Sequence, residues 1–274
     1  MKLFTFASCS AWSLFLAVCL CLIAADPASA QSGATAEGAG LNRSVPDLGI
    51  DLVWIAPGSC MMGNPNPDFE NEYPATRMTL TRGLWLGKTE VTQAQWEAVM
   101  GSKPASFKGY DLPVEQVNWA EAMEFCRKLT QREQAAGRLP AGHEYTLPTE
   151  AQWEYACRAG TAGDYAGDLG AMGWYSGNAS GTTHPVGQKQ PNAWGLYDMH
   201  GNVWEWCLDW YASYPGGSVT DPAGPAQGVS RVFRGGGWWR DGVGCRSANR
   251  SKGNPDSRFN YLGLRVALMP TASH

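Results

Sequence analysis

The oxygen-donor chemistry of this chain concentrates between Asp198 and Glu205. The two carboxylates and the backbone carbonyls around Gly201 and Val203 fall within eight consecutive residues, a turn short enough to aim several hard oxygens at one centre. Donors of this kind suit Ca²⁺. The competing reading is that Asp198 and Glu205 only accept hydrogen bonds from backbone N–H groups in a tryptophan-rich turn, with Trp204 and Trp206 packed around it.

The thiols offer less. Of eight cysteines, Cys9, Cys19 and Cys21 lie in the first 30 residues, and Cys60, Cys126, Cys157, Cys207 and Cys245 are spread over the rest without a C-x-x-C pair. That spacing argues against a zinc knuckle or a thioredoxin-type dithiol. In an exported chain it implies one or two disulfides and at least one free thiol. His143, His184 and His200 have no Ser, Cys or Asp at motif spacing, so they read as surface or hydrogen-bonding residues. Asp68, Glu70 and Glu72 read as a solvated acidic loop. A net charge of −4 with no Lys/Arg cluster argues against a nucleic-acid footprint or an anionic-membrane patch.

The elements that must position these residues are few. Thr92 with Gln95 three residues on predicts a capping box and a helix running to Met100 and stopping at Gly101. A second helix starts after Asn118, carries Ala122, Phe125, Cys126 and Leu129 as one apolar stripe, and stops at Gly137. Thr149 and Gln152 predict a third, with Trp153, Ala156 and Cys157 inward and Gly160 at its end. Strands are expected at 78–80, 84–87, 232–234 and 262–266. After Gly160 about a hundred residues show no convincing helix. Loops of that length need aromatic packing, and metal ions, to hold them.

Lys2, an apolar run from about Ala11 to Ala25, and Ala28-Ser29-Ala30 read as a cleavable signal peptide over 1–30. The run is shorter than the ~20 residues that span a bilayer, so no transmembrane span is expected after cleavage. A lipoprotein site at Cys19 is the minor alternative, poorly served by Val18. Residues 31–48 read as a flexible linker, 49–269 as one globular domain and 270–274 as a tail. The product is expected outside the cytoplasm, secreted or periplasmic.

Seven phrases then occur in a fixed order. They are Pro57-Gly58-Ser59-Cys60-Met61-Met62-Gly63, Lys88-Thr89-Glu90-Val91-Thr92, Leu112-Pro113-Val114 through Asn118-Trp119, Leu147 through Tyr155, Asn192 through Trp206, Arg234-Gly235-Gly236-Gly237-Trp238, and Leu262-Gly263-Leu264-Arg265. Together they resemble the sulfatase-modifying factor family, whose founding activity is the formylglycine-generating enzyme, over about Val53 to Leu268. The resemblance implies an α+β fold of the broad C-type-lectin kind, with few helices, small twisted sheets and much loop. It also implies calcium at the positions of Asp198, Gly201, Val203 and Glu205. The family's enzymes hold Cu(I) on two neighbouring thiolates, as a soft ion prefers. Here the matching stretch, Gly237 to Arg250, holds only Cys245, so a copper site is not expected. The resemblance pairs Cys157 with Cys245 as a disulfide and leaves Cys126 as a buried small hydrophobe.

The last segment also resembles the ligand face of variable proteins made by diversity-generating retroelements, which share this fold. Trp238, Trp239, Arg240, Asp241, Asn249, Asn254, Arg258 and Tyr261 are the expected ligand-binding residues, with ordinary surface divergence as the alternative. Three functions follow. The chain is a recognition module for a peptide, protein or small molecule; or a divergent formylglycine-generating oxidase or other periplasmic oxidoreductase; or a structural part of an envelope assembly.

Overall fold

The computed structural model describes residues 42–271. The signal peptide expected over 1–30, the linker up to residue 41 and the tail beyond 271 lie outside the described residues. From residue 42 the chain is already part of the domain. Strand β1 (Arg43–Val45) pairs antiparallel with β2 (Ile50–Ile55), and Val45 is fully buried. The expected linker is therefore wrong for 42–48: Gly-Ala-Ser composition ends just ahead of a short hairpin that buries an apolar residue.

The strands follow as β3 (Gly58–Met62), β4 (Thr76–Leu80), β5 (Leu84–Gly87), β6 (His143–Thr146), β7 (Trp204–Trp210), β8 (Ser218–Thr220), β9 (Arg231–Arg234), β10 (Arg250–Gly253), β11 (Leu262–Gly263) and β12 (Ala267–Pro270). They form a five-stranded sheet β1-β2-β5-β12-β6, a four-stranded sheet β10-β9-β7-β11 and a three-stranded sheet β3-β4-β8. The architecture is α+β with much irregular backbone. The strand expected over 262–266 is split. Leu262–Gly263 joins β7, Leu264 to Arg265 carries no strand pairing, and Ala267–Pro270 crosses into the five-stranded sheet.

Three helices begin where their capping signals stand. Helix α1 (Gln93–Met100) has Thr92 and Gln95 in a reciprocal capping box and Gly101 at φ 73° as its stop. Helix α2 (Trp119–Ala135) is capped by Asn118 with Glu121, and α3 (Glu150–Arg158) by Thr149 with Gln152. Each box satisfies two orphan N–H groups, a contribution of about 1 kcal/mol. The stripe of α2 is completely buried, and Phe125 stacks on Trp96 at 5.4 Å. Three short helical elements escape the sequence signals: a 3₁₀ turn over Pro46–Leu48, α4 (Leu169–Met172) and a 3₁₀ turn over Gly242–Cys245.

The acidic run divides. Asp68 and Glu70 are exposed, but Glu72 is buried and paired with Arg246 at 2.5 Å. A carboxylate is tolerated inside only with such a partner.

Candidate functional site

The turn from Asp198 to Glu205 is built from backbone that few residues adopt. Asp198 and Asn202 have φ of 59° and 61°, and Gly201 lies at 143°. A Cβ on Gly201 would stand 2.1 Å from the Trp174 carbonyl oxygen, so only glycine fits. Asp198 Oδ2 accepts the Gly187 N–H at 2.7 Å, while its Oδ1 is buried with no hydrogen-bond partner. Glu205 is fully engaged. Arg265 Nη2 donates to Oε1 at 2.7 Å, Arg265 Nε to Oε2 at 2.9 Å, and Trp153 Nε1 to Oε2 at 2.7 Å.

A third carboxylate faces this turn that sequence reasoning left without a role. Glu90 accepts the Val203 N–H at 3.1 Å and Asn202 Nδ2 at 2.9 Å, and is 1 % exposed. Burial, then the charges of Asp198 and Glu205, raise its pKa well above the usual carboxylate range. Burial likewise raises Asp198. Arg265, 60 residues on from Glu205, is the cation that opposes them. The signal was present in the Thr-Glu-Val and Leu-Arg phrases; the partner was not.

An orphaned Asp198 oxygen among three buried carboxyl groups that share one arginine fits a hard cation. Asp198 and the carbonyls of Gly201 and Val203 are the groups that would hold it. Glu205 would contribute charge while it also anchors Arg265. No group of three or more His, Cys, Asp or Glu side chains among the described residues is placed to hold a metal by side chains alone.

The thiols take a different arrangement from the expected disulfide. Cys157 and Cys245 are both buried and unbonded, which corrects that expectation. The His200 ring lies beside both residues. Cys157 Sγ is 3.8 Å from Nε2, and Nδ1 is 2.9 Å from the Cys245 carbonyl oxygen. Because the Ala166 N–H donates to Nε2 at 3.0 Å, the ring proton sits on Nδ1 and is given to Cys245. A Cβ at Gly236 would meet Cys245 Sγ at 2.5 Å, so that thiol is packed against Gly236. Burial pushes both thiols up to about 12 and holds His200 down at about 4. One buried, protonated thiol does not fit two-thiolate Cu(I) ligation.

The 238–261 segment lines an open cleft of about 390 Å³. Of the expected ligand-binding residues, Trp239, Arg240, Asn249 and Tyr261 meet there. Phe259 stacks on Tyr261 at 4.9 Å, Trp239 tilts against Tyr261 at 5.2 Å, and Trp239 is 42 % exposed. The other four do structural work. Trp238 packs edge-on against Phe107 and donates to the Asn260 carbonyl. Asp241 caps the 3₁₀ turn through the Gly244 N–H. Asn254 caps the Asp256 N–H, and Arg258 pairs with Glu121 at 2.8 Å. Sequence reasoning missed Lys252 and Phe259 in the cleft.

Behind the cleft, Arg250 reaches Glu150 Oε2 at 2.5 Å, Arg234 binds Glu154, and Arg158 reaches the same Glu154 at 2.7 Å. Tyr214 donates to Glu150 at 3.0 Å.

Residues 41–270 match the model of the sulfatase-modifying factor enzyme 1-like domain. The chain belongs to that family. It is 30% identical over 300 residues to the chaperone protein LppX of Paenibacillus barcinonensis, covering 92% of this chain and 95% of that one. It is 35% identical over 199 residues to the formylglycine-generating enzyme of Streptomyces coelicolor, covering 65% of this chain and 59% of that enzyme. The chain thus spans about three fifths of that enzyme's length. The solved structure of Treponema denticola variable protein 1 superposes with a TM-score of 0.76 at 32% identity, over 84% of this chain and 98% of that one. Family membership accounts for the few helices and curled sheets. No helix among the described residues is long and apolar enough to cross a membrane.

Proposed function

We propose that this chain is an exported recognition module of the sulfatase-modifying factor family, stabilised by Ca²⁺ at the Asp198 turn, that binds a peptide or protein through the cleft of Trp239, Arg240 and Tyr261. The observation that carries the reading is the division of the 238–261 segment. Its lone cysteine is buried and protonated, while aromatic and cationic side chains gather on its open side. Aromatic rings and arginine supply large contact area at low entropic cost, the composition of recognition surfaces. The likeness to a protein named a chaperone and to one named a variable protein supports it, since both span nearly the whole domain.

The alternative is a divergent formylglycine-generating oxidase, favoured by the identity to the S. coelicolor enzyme. One experiment separates the two. The intact chain is given copper, oxygen and a Cys-x-Pro-x-Arg peptide, and the peptide mass is followed. No loss of the thiol mass above a metal-free control is expected; turnover overturns the recognition reading.

A further inference from the structure

The chemistry of the cleft specifies its occupant further, on the footing that the cleft is a recognition site. Arg240 and Lys252 line it, and no carboxylate does. Neither forms an ion pair among the described residues. The Arg240 guanidinium lies 5.0 Å over the Trp239 ring, and its Nε is buried without an acceptor. Lys252 is exposed at the rim: on β10 it shares a face with Arg250, and its ammonium lies 4.3 Å over Tyr211, outside the rings of the cleft. A third cation, Arg250, is neutralised by Glu150 behind the cleft. In a chain of net charge −4, a cleft with one unpaired cation inside, a second at its rim and no acid is a local reversal of sign. Such a site favours an anionic ligand and repels a basic one.

The backbone makes that ligand chain-like. Strand β10 is the edge of its sheet, bonded to β9 and to no strand beyond. The Arg250 carbonyl turns away from β9, because Asn71 Nδ2 donates to it at 2.7 Å. By the two-residue period of a strand, the N–H and C=O of Lys252 face the same open edge. An extended segment laid there gains main-chain hydrogen bonds from the edge and side-chain contacts from the cleft. Two cations are too few for the run of phosphates on a nucleic acid.

We propose that the cleft takes an extended segment of a partner protein that carries carboxylate side chains beside an aromatic or apolar one. Carboxylates pair with Arg240 and Lys252, and the apolar side chain packs on Trp239, Phe259 and Tyr261. The affinity falls with added salt, since Lys252 is exposed and Arg240 only half-buried.

The test selects a displayed library of random nine-residue peptides on the intact chain, on R240E/K252E and on W239A, each checked for an unchanged melting temperature. The wild-type chain should enrich peptides with Asp or Glu near Phe, Tyr, Trp or Leu. A synthetic peptide of the enriched sequence should bind R240E/K252E at least tenfold more weakly, and its lysine-substituted version should bind that variant better than it binds wild type. Enrichment of basic or uncharged peptides on the wild type, lost in W239A, overturns the acidic partner and leaves the recognition site standing. Enrichment indifferent to W239A and to R240E/K252E, or none at all, overturns both.

Discussion

The two sides of the 238–261 segment use the same residue types to opposite ends. On the inner side, Arg246 and Arg250 are 3 % exposed and each meets a buried glutamate. With Arg234 on Glu154 and Arg265 on Glu205, they form a lattice that ties the loop region to α3 and β7. On the outer side, half-buried Arg240 stands without a carboxylate beside the Trp239 ring that solvent reaches, and Lys252 is exposed at the rim. A buried cation needs a partner because its hydration has been removed, whereas a solvated cation does not. The same segment can therefore hold its backbone rigidly from behind while its front changes at little cost to folding. Side chains facing the lattice are constrained; those facing the cleft are set by what they bind.

Breaking the inner side should have the largest effect. R234M strips Glu154 of one of its two arginines and leaves a buried charge poorly compensated, so a loss of about 3–5 kcal/mol is expected by thermal or denaturant unfolding. The double variant R234M/E154Q should recover part of it. A loss below about 1 kcal/mol would remove the distinction between the two sides.

The Asp198 turn is predicted to respond next. Chelation should lower the melting temperature and added Ca²⁺ restore it, with about 2.7 kcal/mol expected at a hundredfold excess over Kd. D198N should abolish the calcium response. A melting curve unmoved by chelator in the wild type removes the metal from this turn.

A smaller effect sharpens the inner side. Asp209 is buried beside Glu150, and burial with that neighbouring charge raises it to about 7. A carboxyl whose folded pKa exceeds its unfolded value of 3.8 binds more protons when folded. Its contribution is thus complete at acid pH and is lost as pH rises through 7. D209N keeps an acceptor for the Glu150 N–H, which Asp209 Oδ2 now accepts at 2.8 Å. The variant should flatten the fall in stability between about pH 4 and 7, gaining roughly 1 kcal/mol, or about 3 °C, at pH 8. By contrast R240A, on the outer side, should shift stability by no more than about 0.5 kcal/mol.

The parts of the fold legible in the sequence are those whose signals are local. A capping box spans three residues, so α1, α2 and α3 start where Thr92, Asn118 and Thr149 stand. The tight backbone at Asp198, Gly201 and Asn202 is likewise set within a few residues. What was hidden is set by distant partners. Glu90 reaches Val203 across 113 residues, and Glu72 reaches Arg246 across 174. Neither position differs in sequence from a surface acid. The pairing of Cys157 with Cys245 failed because His200, which satisfies the Cys245 carbonyl, lies beside both residues. In the cleft, residue type could not separate Trp239, which opens to solvent, from Trp238, which packs on Phe107.

The order β1-β2-β5-β12-β6 puts Ala267–Pro270, the last strand described, in the interior of its sheet. During synthesis the seat between β5 and β6 stays empty until every other described strand has been made. Until then both neighbours carry an unpaired edge toward the gap, and the sheet has no lasting native state. The domain thus commits to folding late, and a chain halted a few residues before Ala267 should be soft throughout that sheet rather than frayed at one end.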